Sequence, residues 1–465
     1  MTRQEVKWTI FVITVIGNFI AMIDSSSVNL ALFEIAKDFN TAISSAQWVI
    51  ISYMLTLTVL LPLFGKLGDI LPKNKLYAGG FLIFALGAFL NTTASSLPLL
   101  IFYRCIEAVG ASIMISNASA IIATIFKQEQ RGKALGINGC VVALGGLSGP
   151  ALGGVLLNFF GWNYIFIPSI VIALFGAYLS YQILPSYVAS HKIFKFDYAG
   201  FFYFTTSLVA LLLAISEGYN WGWGSLKIIV LSVVALLFGA LFYIRDHKIN
   251  YPFINFDVFK IKSFTLGNLA IVTSYMAMFT NNILIPIFLQ DILKFNPLKT
   301  GLLMLPFSIC LAIAAPFCGA YAGKHGSKNI TRLGPLVMVL ALLLFTTFNT
   351  DTQIWQIILA SCIMGVANGL FQSPSNTAII ACVSREQLGV ASGIIALSRN
   401  VGNIMGVSLT ITFFSAFKDY FLSNKIAYEL SFLKAYHYTM LIGIGFAFVC
   451  FLLAFFAYKD EVASR

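Results

Sequence analysis

The chain has 465 residues, of which 59% are hydrophobic and only 10% charged, and it carries a formal net charge of +11. A soluble domain holds roughly 25% charged residues, so this balance belongs in a bilayer and excludes an ordinary soluble globular domain. A helix needs about 20 mainly apolar residues to span a membrane. Fourteen such segments follow one another near 8–30, 47–67, 76–95, 98–126, 131–158, 163–184, 198–217, 226–245, 264–292, 299–322, 331–349, 355–382, 388–417 and 435–457.

The first span ends without the small-residue cleavage site of a signal peptide and is expected to be retained. Asp24 lies in its outer half, six residues or about 9 Å from the outer end at 1.5 Å per residue. No cation shares its helix, and Ser25, Ser26, Ser27 and Asn29 surround it in sequence. A charge at such depth costs at least ~2.5–3.5 kcal/mol, so each one calls for a reason. Asp24 reads as a carboxylate that takes up and releases a proton, or else as an idle residue beside a wet vestibule. Span two offers Gln47, Trp48 and Tyr53 as lining residues of a cavity. The loop after it runs Gly65-Lys-Leu-Gly-Asp69-Ile-Leu-Pro-Lys73-Asn-Lys75. Gly65, Asp69 and Lys73 can form a charge lock between helix ends, or merely decorate a cytoplasmic loop.

In span four, Arg104 and Glu107 stand three residues apart on one helix face. They are either a self-neutralising ion pair or a proton-binding carboxylate governed by its neighbouring guanidinium. Span five reads Ala143-Leu-Gly-Gly-Leu-Ser-Gly-Pro-Ala-Leu-Gly-Gly154. Gly145, Gly149 and Gly153 recur every fourth residue, beside a second stripe of Gly146, Pro150 and Gly154. Small residues at this spacing let helix backbones approach closely, and a proline bends the helix. The stripe is a generic packing motif or a hinge and seal between bundles. Spans seven and eight, within 198–245, carry only Glu217 as an acid, at one edge, and suit a peripheral spacer. Spans nine to fourteen have no acid at mid-depth. Their polar residues suited to a cavity are Tyr275, Asn282, Gln372, Asn376 and Arg399, the last being a cavity charge or a ligand for backbone carbonyls.

With the N-terminus in the cytoplasm, the inner loops hold 20 of the 29 Lys and Arg and the outer loops 7, while Arg104 and Arg399 lie within spans. The basic excess is therefore a positive-inside topology signal and not a nucleic-acid patch, and it puts both termini in the cytoplasm. All seven cysteines fall in apolar spans, with no disulfide framework or metal spacing. The four histidines (191, 247, 325, 437) lie far apart in sequence and supply no catalytic cluster. The chain reads as no enzyme, with no cofactor.

An internal repeat organises the spans. Residues 105–149 pair without gaps with 362–406 and agree at 13 of 45 positions, among them Cys105/Cys362, Ser116/Ser373, Glu129/Glu386, Gln130/Gln387, Gly132/Gly389, Gly145/Gly402 and Gly149/Gly406. The loop run Glu-Gln-x-Gly-x-Ala-x-Gly is not explained by apolar composition. Spans four and five thus equate with twelve and thirteen in the same direction. Parallel repeats of this kind mark transporter folds with a substrate site at the repeat interface. The expected architecture is an all-α membrane protein: a six-helix bundle (1–190), an inserted two-helix linker region (191–262) and a second six-helix bundle (263–465).

In this combination the chain resembles the major facilitator superfamily and, within it, the fourteen-helix drug:proton antiporters, with Nor-type quinolone efflux pumps of Gram-positive bacteria as the nearest group. Asp24 to Leu32 is similar to that branch's first-helix motif. Gly65 to Lys75 is similar to the gating motif, Leu99 to Gly110 to the span-four proton-transfer motif, and Gly145 to Gly154 to the antiporter motif that symporters generally lack. Ile70 and Pro72 depart from the gating motif's usual basic residue and glycine, Glu107 replaces a usual Gln, and Asn163 a frequent Arg. The resemblance implies proton-coupled multidrug efflux at the plasma membrane, by alternating access, of quinolones, monocationic dyes or biocides. Its partners would be small amphipathic drugs, protons and lipid, and the protein would act as a monomer. The absence of a mid-span acid in spans nine to fourteen favours monocations, zwitterions or neutral amphiphiles. A proton-coupled symporter, or an exporter of an endogenous metabolite, is the alternative.

Overall fold

The computed structural model describes residues 3–68, 71–126, 128–184, 197–249, 256–383 and 388–457, which are almost wholly helical. Fourteen long helices succeed one another among them: α1 (Arg3–Asp38), α2 (Trp48–Leu67), α3 (Lys73–Thr92), α4 (Leu97–Ile125), α5 (Gln128–Phe159), α6 (Ile167–Ile183), α7 (Tyr198–Trp221), α8 (Leu226–Asp246), α9 (Lys262–Ile287), α10 (Pro297–His325), α11 (Lys328–Phe345), α12 (Ile354–Ala381), α13 (Leu388–Ser423) and α14 (Tyr428–Ala457). Among the described residues, thirteen stretches are long and apolar enough to cross a membrane. The helix outside that set is α5, whose described apolar part is Leu144–Phe159. In hydrocarbon every backbone N–H and C=O must be satisfied within its own segment or a closed sheet, which is why continuous helices answer this composition.

Several helices outrun the apolar segments that announce them. The hydropathy of span one ends near residue 30, whereas α1 continues to Asp38. Asp24 therefore lies fourteen residues from the helix end, about 21 Å, and not about 9 Å. Likewise α14 begins at Tyr428, with Glu429 in its first turn, ahead of the apolar stretch. A helix has no reason to stop at the membrane surface when its next turns can face water.

The chain divides into two compact units, one of Met1–Phe194 with Leu289–Ser308, the other of Lys195–Phe288 with Ile309–Arg465. In the first, α1 packs on α4, α5 and α6, and α3 packs on α4 and α6. In the second, α9 packs on α12, α13 and α14, and α11 packs on α12 and α14. The second list is the first with each helix advanced by eight, so the sequence repeat is also a repeat of packing. The pair α7–α8 belongs to the second unit, docked on α13 through Ser216–Ser408 (2.6 Å) and Tyr219–Asp419 (2.8 Å). Asp197 caps α7 by accepting from the Gly200 amide, and it also accepts from Arg245 Nε of α8 at 2.7 Å.

The glycines of the repeat are where the shared packing is built. A Cβ on Gly145 of α5 would sit 2.8 Å from Phe19 O and 2.9 Å from Met22 Cβ of α1. A Cβ on Gly402 of α13 would sit 2.6 Å from Val272 O and 2.9 Å from Tyr275 Cβ of α9. Gly149 meets Ile23 and Ser26 of α1, as Gly406 meets Met276 and Phe279 of α9. Both α1–α5 and α9–α13 are backbone-to-backbone approaches that only a residue without Cβ permits.

Candidate functional site

Two helices of the first unit bring three ionisable residues to one point. Asp24 of α1 and Arg104 and Glu107 of α4 are 0%, 1% and 0% exposed. Arg104 Nη1 donates both to Asp24 Oδ2 and to Glu107 Oε2, the latter at 2.6 Å. Its Nε donates to Val49 O of α2 at 3.3 Å, and its guanidinium carbon lies 4.2 Å from the Tyr53 ring centroid and 5.7 Å from that of Phe166. From α3, Asn91 Nδ2 donates to Glu107 Oε2 at 2.6 Å. This reach depends on Gly87, whose Cβ would fall 2.4 Å from Glu107 N, so that α3 touches α4 one turn before Asn91.

The sequence reading of Asp24 as an acid without a cation is corrected by this geometry. The cation comes from α4, some eighty residues on, and one guanidinium serves both acids. Arginine stays protonated in proteins. With both carboxyl groups ionised the cluster carries one net negative charge in the interior of a spanning unit, and one bound proton brings it to zero. One Arg104 Nη1 bridges the two carboxyl groups. Asp24 Oδ1, Glu107 Oε1 and the Tyr53 hydroxyl have no hydrogen-bond partner among the described residues. The arrangement can therefore hold one exchangeable proton between two acids, with Arg104 as a fixed counter-charge.

The glycine stripe of α5 adjoins this cluster. Gly145, Gly149 and Gly153 face α1, where Ser27, three residues beyond Asp24, donates to Gly149 O at 2.9 Å and to Ile23 O at 2.8 Å. The second stripe faces the start of α10: a Cβ on Gly154 would lie 2.8 Å from Pro297 O, and one on Gly301 2.2 Å from Pro150 O. Gly146 meets nothing within 4 Å.

Of the gating residues, Asp69 lies outside the described residues. Gly65 is loosely packed, its nearest neighbour for a Cβ being Ser116 at 3.9 Å. Lys73 is buried and donates to Asn117 Oδ1 of α4 at 3.5 Å. Asn117 donates in turn to Phe64 O at 3.1 Å, and a Cβ on Gly68 would overlap its side chain at 1.6 Å. Asn117 thus holds the end of α2 and the start of α3 together. Sequence reasoning passed over it, as it passed over Asn91; a single Asn inside an apolar helix was the available signal.

The cavity candidates separate into two groups. In the first unit, Gln47 is buried and donates to Ser44 O at 2.8 Å, Trp48 is half-buried at the start of α2, and Tyr53 underlies Arg104. In the second, the Tyr275 hydroxyl donates to Gln372 Oε1 at 3.0 Å, and Arg399 lies beside that hydroxyl. Gln372 Nε2 donates to Asn368 Oδ1 at 3.0 Å. Asn282 and Asn376 are half-buried on α9 and α12 and share none of those bonds.

Residues 14–191 and 268–465 match the Major Facilitator Superfamily. The chain is 33% identical over 462 residues to the riboflavin transporter RibZ of Clostridioides difficile (strain 630), covering 98% of each. It is 28% identical over 434 residues to the multidrug transporter protein MdtP of Bacillus subtilis (strain 168), covering 93% of this chain and 80% of the relative. The crystal structure of a bacterial homolog of the human lysosomal transporter Spinster has the same fold, with a TM-score of 0.68, 15% identity and coverage of 98% and 96%.

Proposed function

The chain belongs to the major facilitator superfamily and is a multi-pass membrane transporter, not an enzyme, and we propose that it is a proton-coupled antiporter exporting amphipathic aromatic compounds by alternating access. The observation that carries the coupling is the buried Asp24–Arg104–Glu107 cluster, whose two acids and one cation differ by a single proton from neutrality. Protonated, the cluster has no net charge to solvate. Deprotonated, it favours a conformation that lets water or a counter-charge reach it. A proton moving down about 100 mV releases about 2.3 kcal/mol, enough to drive a useful concentration ratio of cargo.

In this reading Gly145, Gly149, Pro150, Gly153 and Gly154 keep α5 in register while the bundles 1–190 and 263–465 rock, with 191–262 as the inserted linker. Gly65, Asp69 and Lys73 act at the cytoplasmic gate. Gln47, Trp48, Tyr53, Tyr275, Asn282, Gln372, Asn376 and Arg399 line the path, a mostly apolar surface with a few convergent polar groups that suits varied ligands. The protein works as a monomer in the plasma membrane with both termini in the cytoplasm. Quinolones, as exported by Nor-type pumps, are the finer form of this reading.

A second cargo is favoured by one observation: the relative matched over 98% of both chains is named a riboflavin transporter. Riboflavin is itself a planar aromatic with a polar tail, so the same coupling cluster would serve it. Proteoliposomes of the purified protein, tested with norfloxacin, ethidium and riboflavin for collapse of an imposed ΔpH, separate the two. Collapse by norfloxacin or ethidium supports export of drugs; collapse by riboflavin alone transfers the assignment to the vitamin; ΔpH-independent flux of all three sinks proton coupling.

A further inference from the structure

Arg399 is a cation at membrane depth in the second unit, and among the described residues no acid is paired with it. Helices α9, α10, α11 and α12 contain no Asp or Glu, Glu429 in the first turn is the only acid of α14, and Glu217 on α7, which also packs on α13, accepts from Asn220 Nδ2 at 2.9 Å. On α13 itself the acid is Asp419, twenty residues or about 30 Å further along, where it accepts from Tyr219. Arg399 is half-buried on a helix of the spanning set. Its side chain is turned towards α9, because Gly402, three residues later on the same face, is packed against Val272 and Tyr275.

What Arg399 meets there is neutral and already committed. The Tyr275 hydroxyl donates its proton to Gln372 Oε1 (3.0 Å), Gln372 Nε2 donates to Asn368 Oδ1 (3.0 Å), and Asn368 Nδ2 donates to Met364 O (2.9 Å). The chain runs one way, from α9 through α12 to a backbone carbonyl, and leaves the phenol only a lone pair to offer Arg399. A guanidinium has five N–H donors in a planar fork that matches a carboxylate. Among the described residues no carboxylate answers them. Arg104, by contrast, is met by two acids within its own unit.

We infer that Arg399, oriented by Tyr275 and Gln372, is the recognition point for a carboxylate on the cargo, so that the preferred substrates are aromatic acids or zwitterions and not simple monocations. This rests on the transport reading above, yet it concerns recognition and not coupling. Equilibrium binding tests it on the full-length protein in nanodiscs, using norfloxacin and its methyl ester as probes with ethidium as the cationic control. Wild type should bind the acid at least ten-fold more tightly than the ester. Arg399→Gln should remove that preference, and Arg399→Lys should restore part of it. Equal affinity for acid and ester in wild type, or no binding of either, overturns the inference without recourse to any variant. So does an Arg399→Gln protein that keeps the preference. Selective acid binding by a protein that shows no ΔpH-driven flux would sink the coupling proposal and leave this site standing.

Discussion

Where the first unit has Asp24, Arg104 and Glu107, the second has Ala277, Ser361 and Met364. The match is positional: the glycine contacts that bring Gly145 onto Phe19 and Met22 bring Gly402 onto Val272 and Tyr275, and the same shift carries Asp24 onto Ala277. The repeat register of α4 and α12 then carries Arg104 onto Ser361 and Glu107 onto Met364. Both units therefore share their backbone approaches and differ in their buried charge. An apolar or small residue suffices for packing at each of these three places, as the second unit demonstrates. The charges of the first unit are an addition to a scaffold that does not require them, which is the physical ground for giving them a task.

The largest expected effect comes from breaking that asymmetry at its cation. Arg104→Gln leaves two buried acids without a counter-charge and should cost about 3–5 kcal/mol, read as a fall in thermal unfolding temperature of the detergent-solubilised protein. Ser361→Ala, at the equivalent place, should cost less than about 1 kcal/mol. Equal losses would mean that Arg104 does no more than pack. Next, Glu107→Gln should keep the Asn91 and Arg104 contacts in shape while lowering ΔpH-driven flux at least ten-fold, whereas Met364→Leu should change it less than two-fold. Both are measured in proteoliposomes at matched protein content.

The shared scaffold is sharpened by glycine substitutions. Gly149→Ala and Gly406→Ala both force a Cβ into the backbone of the facing helix and should each cost about 1–3 kcal/mol. Gly146→Ala, which meets nothing within 4 Å, should be neutral or slightly stabilising, since alanine is the better helix former by about 1 kcal/mol. A large loss at Gly149 with none at Gly406 would contradict the common packing. The smallest effect belongs to Tyr53→Phe, which keeps the ring beneath Arg104 and removes a hydroxyl without a hydrogen-bond partner among the described residues. Stability should move by less than about 0.5 kcal/mol, because the cation–π contact survives.

Much of the scaffold is legible in the sequence because lipid imposes a strong rule on it. Long apolar runs, the loop charge asymmetry and the repeat around Cys105 and Cys362 determine helix number, order and equivalence. Helix ends are not legible in the same way, since α1 and α14 continue beyond the apolar residues that hydropathy detects. Nor is the partner of Asp24, because a contact between residues 24 and 104 is fixed by how α1 crosses α4 and leaves no spacing in the chain. Asn91 and Asn117 escaped for a related reason. Each looks like an ordinary polar interruption until a neighbouring glycine, Gly87 or Gly68, is seen to admit it. Arg399 was visible as a charge, but its lack of an acid partner is a property of the helices around it.

The most direct test of the coupling cluster is ΔpH-driven export of ethidium or norfloxacin by the Asp24→Asn/Glu107→Gln double variant in proteoliposomes, with membrane insertion verified in the same preparation. A cluster that holds the exchanged proton predicts loss of at least ten-fold of the ΔpH-driven flux, with substrate exchange in the absence of a gradient retained. Full ΔpH-driven export by the double variant would contradict it and move the coupling site elsewhere in the chain.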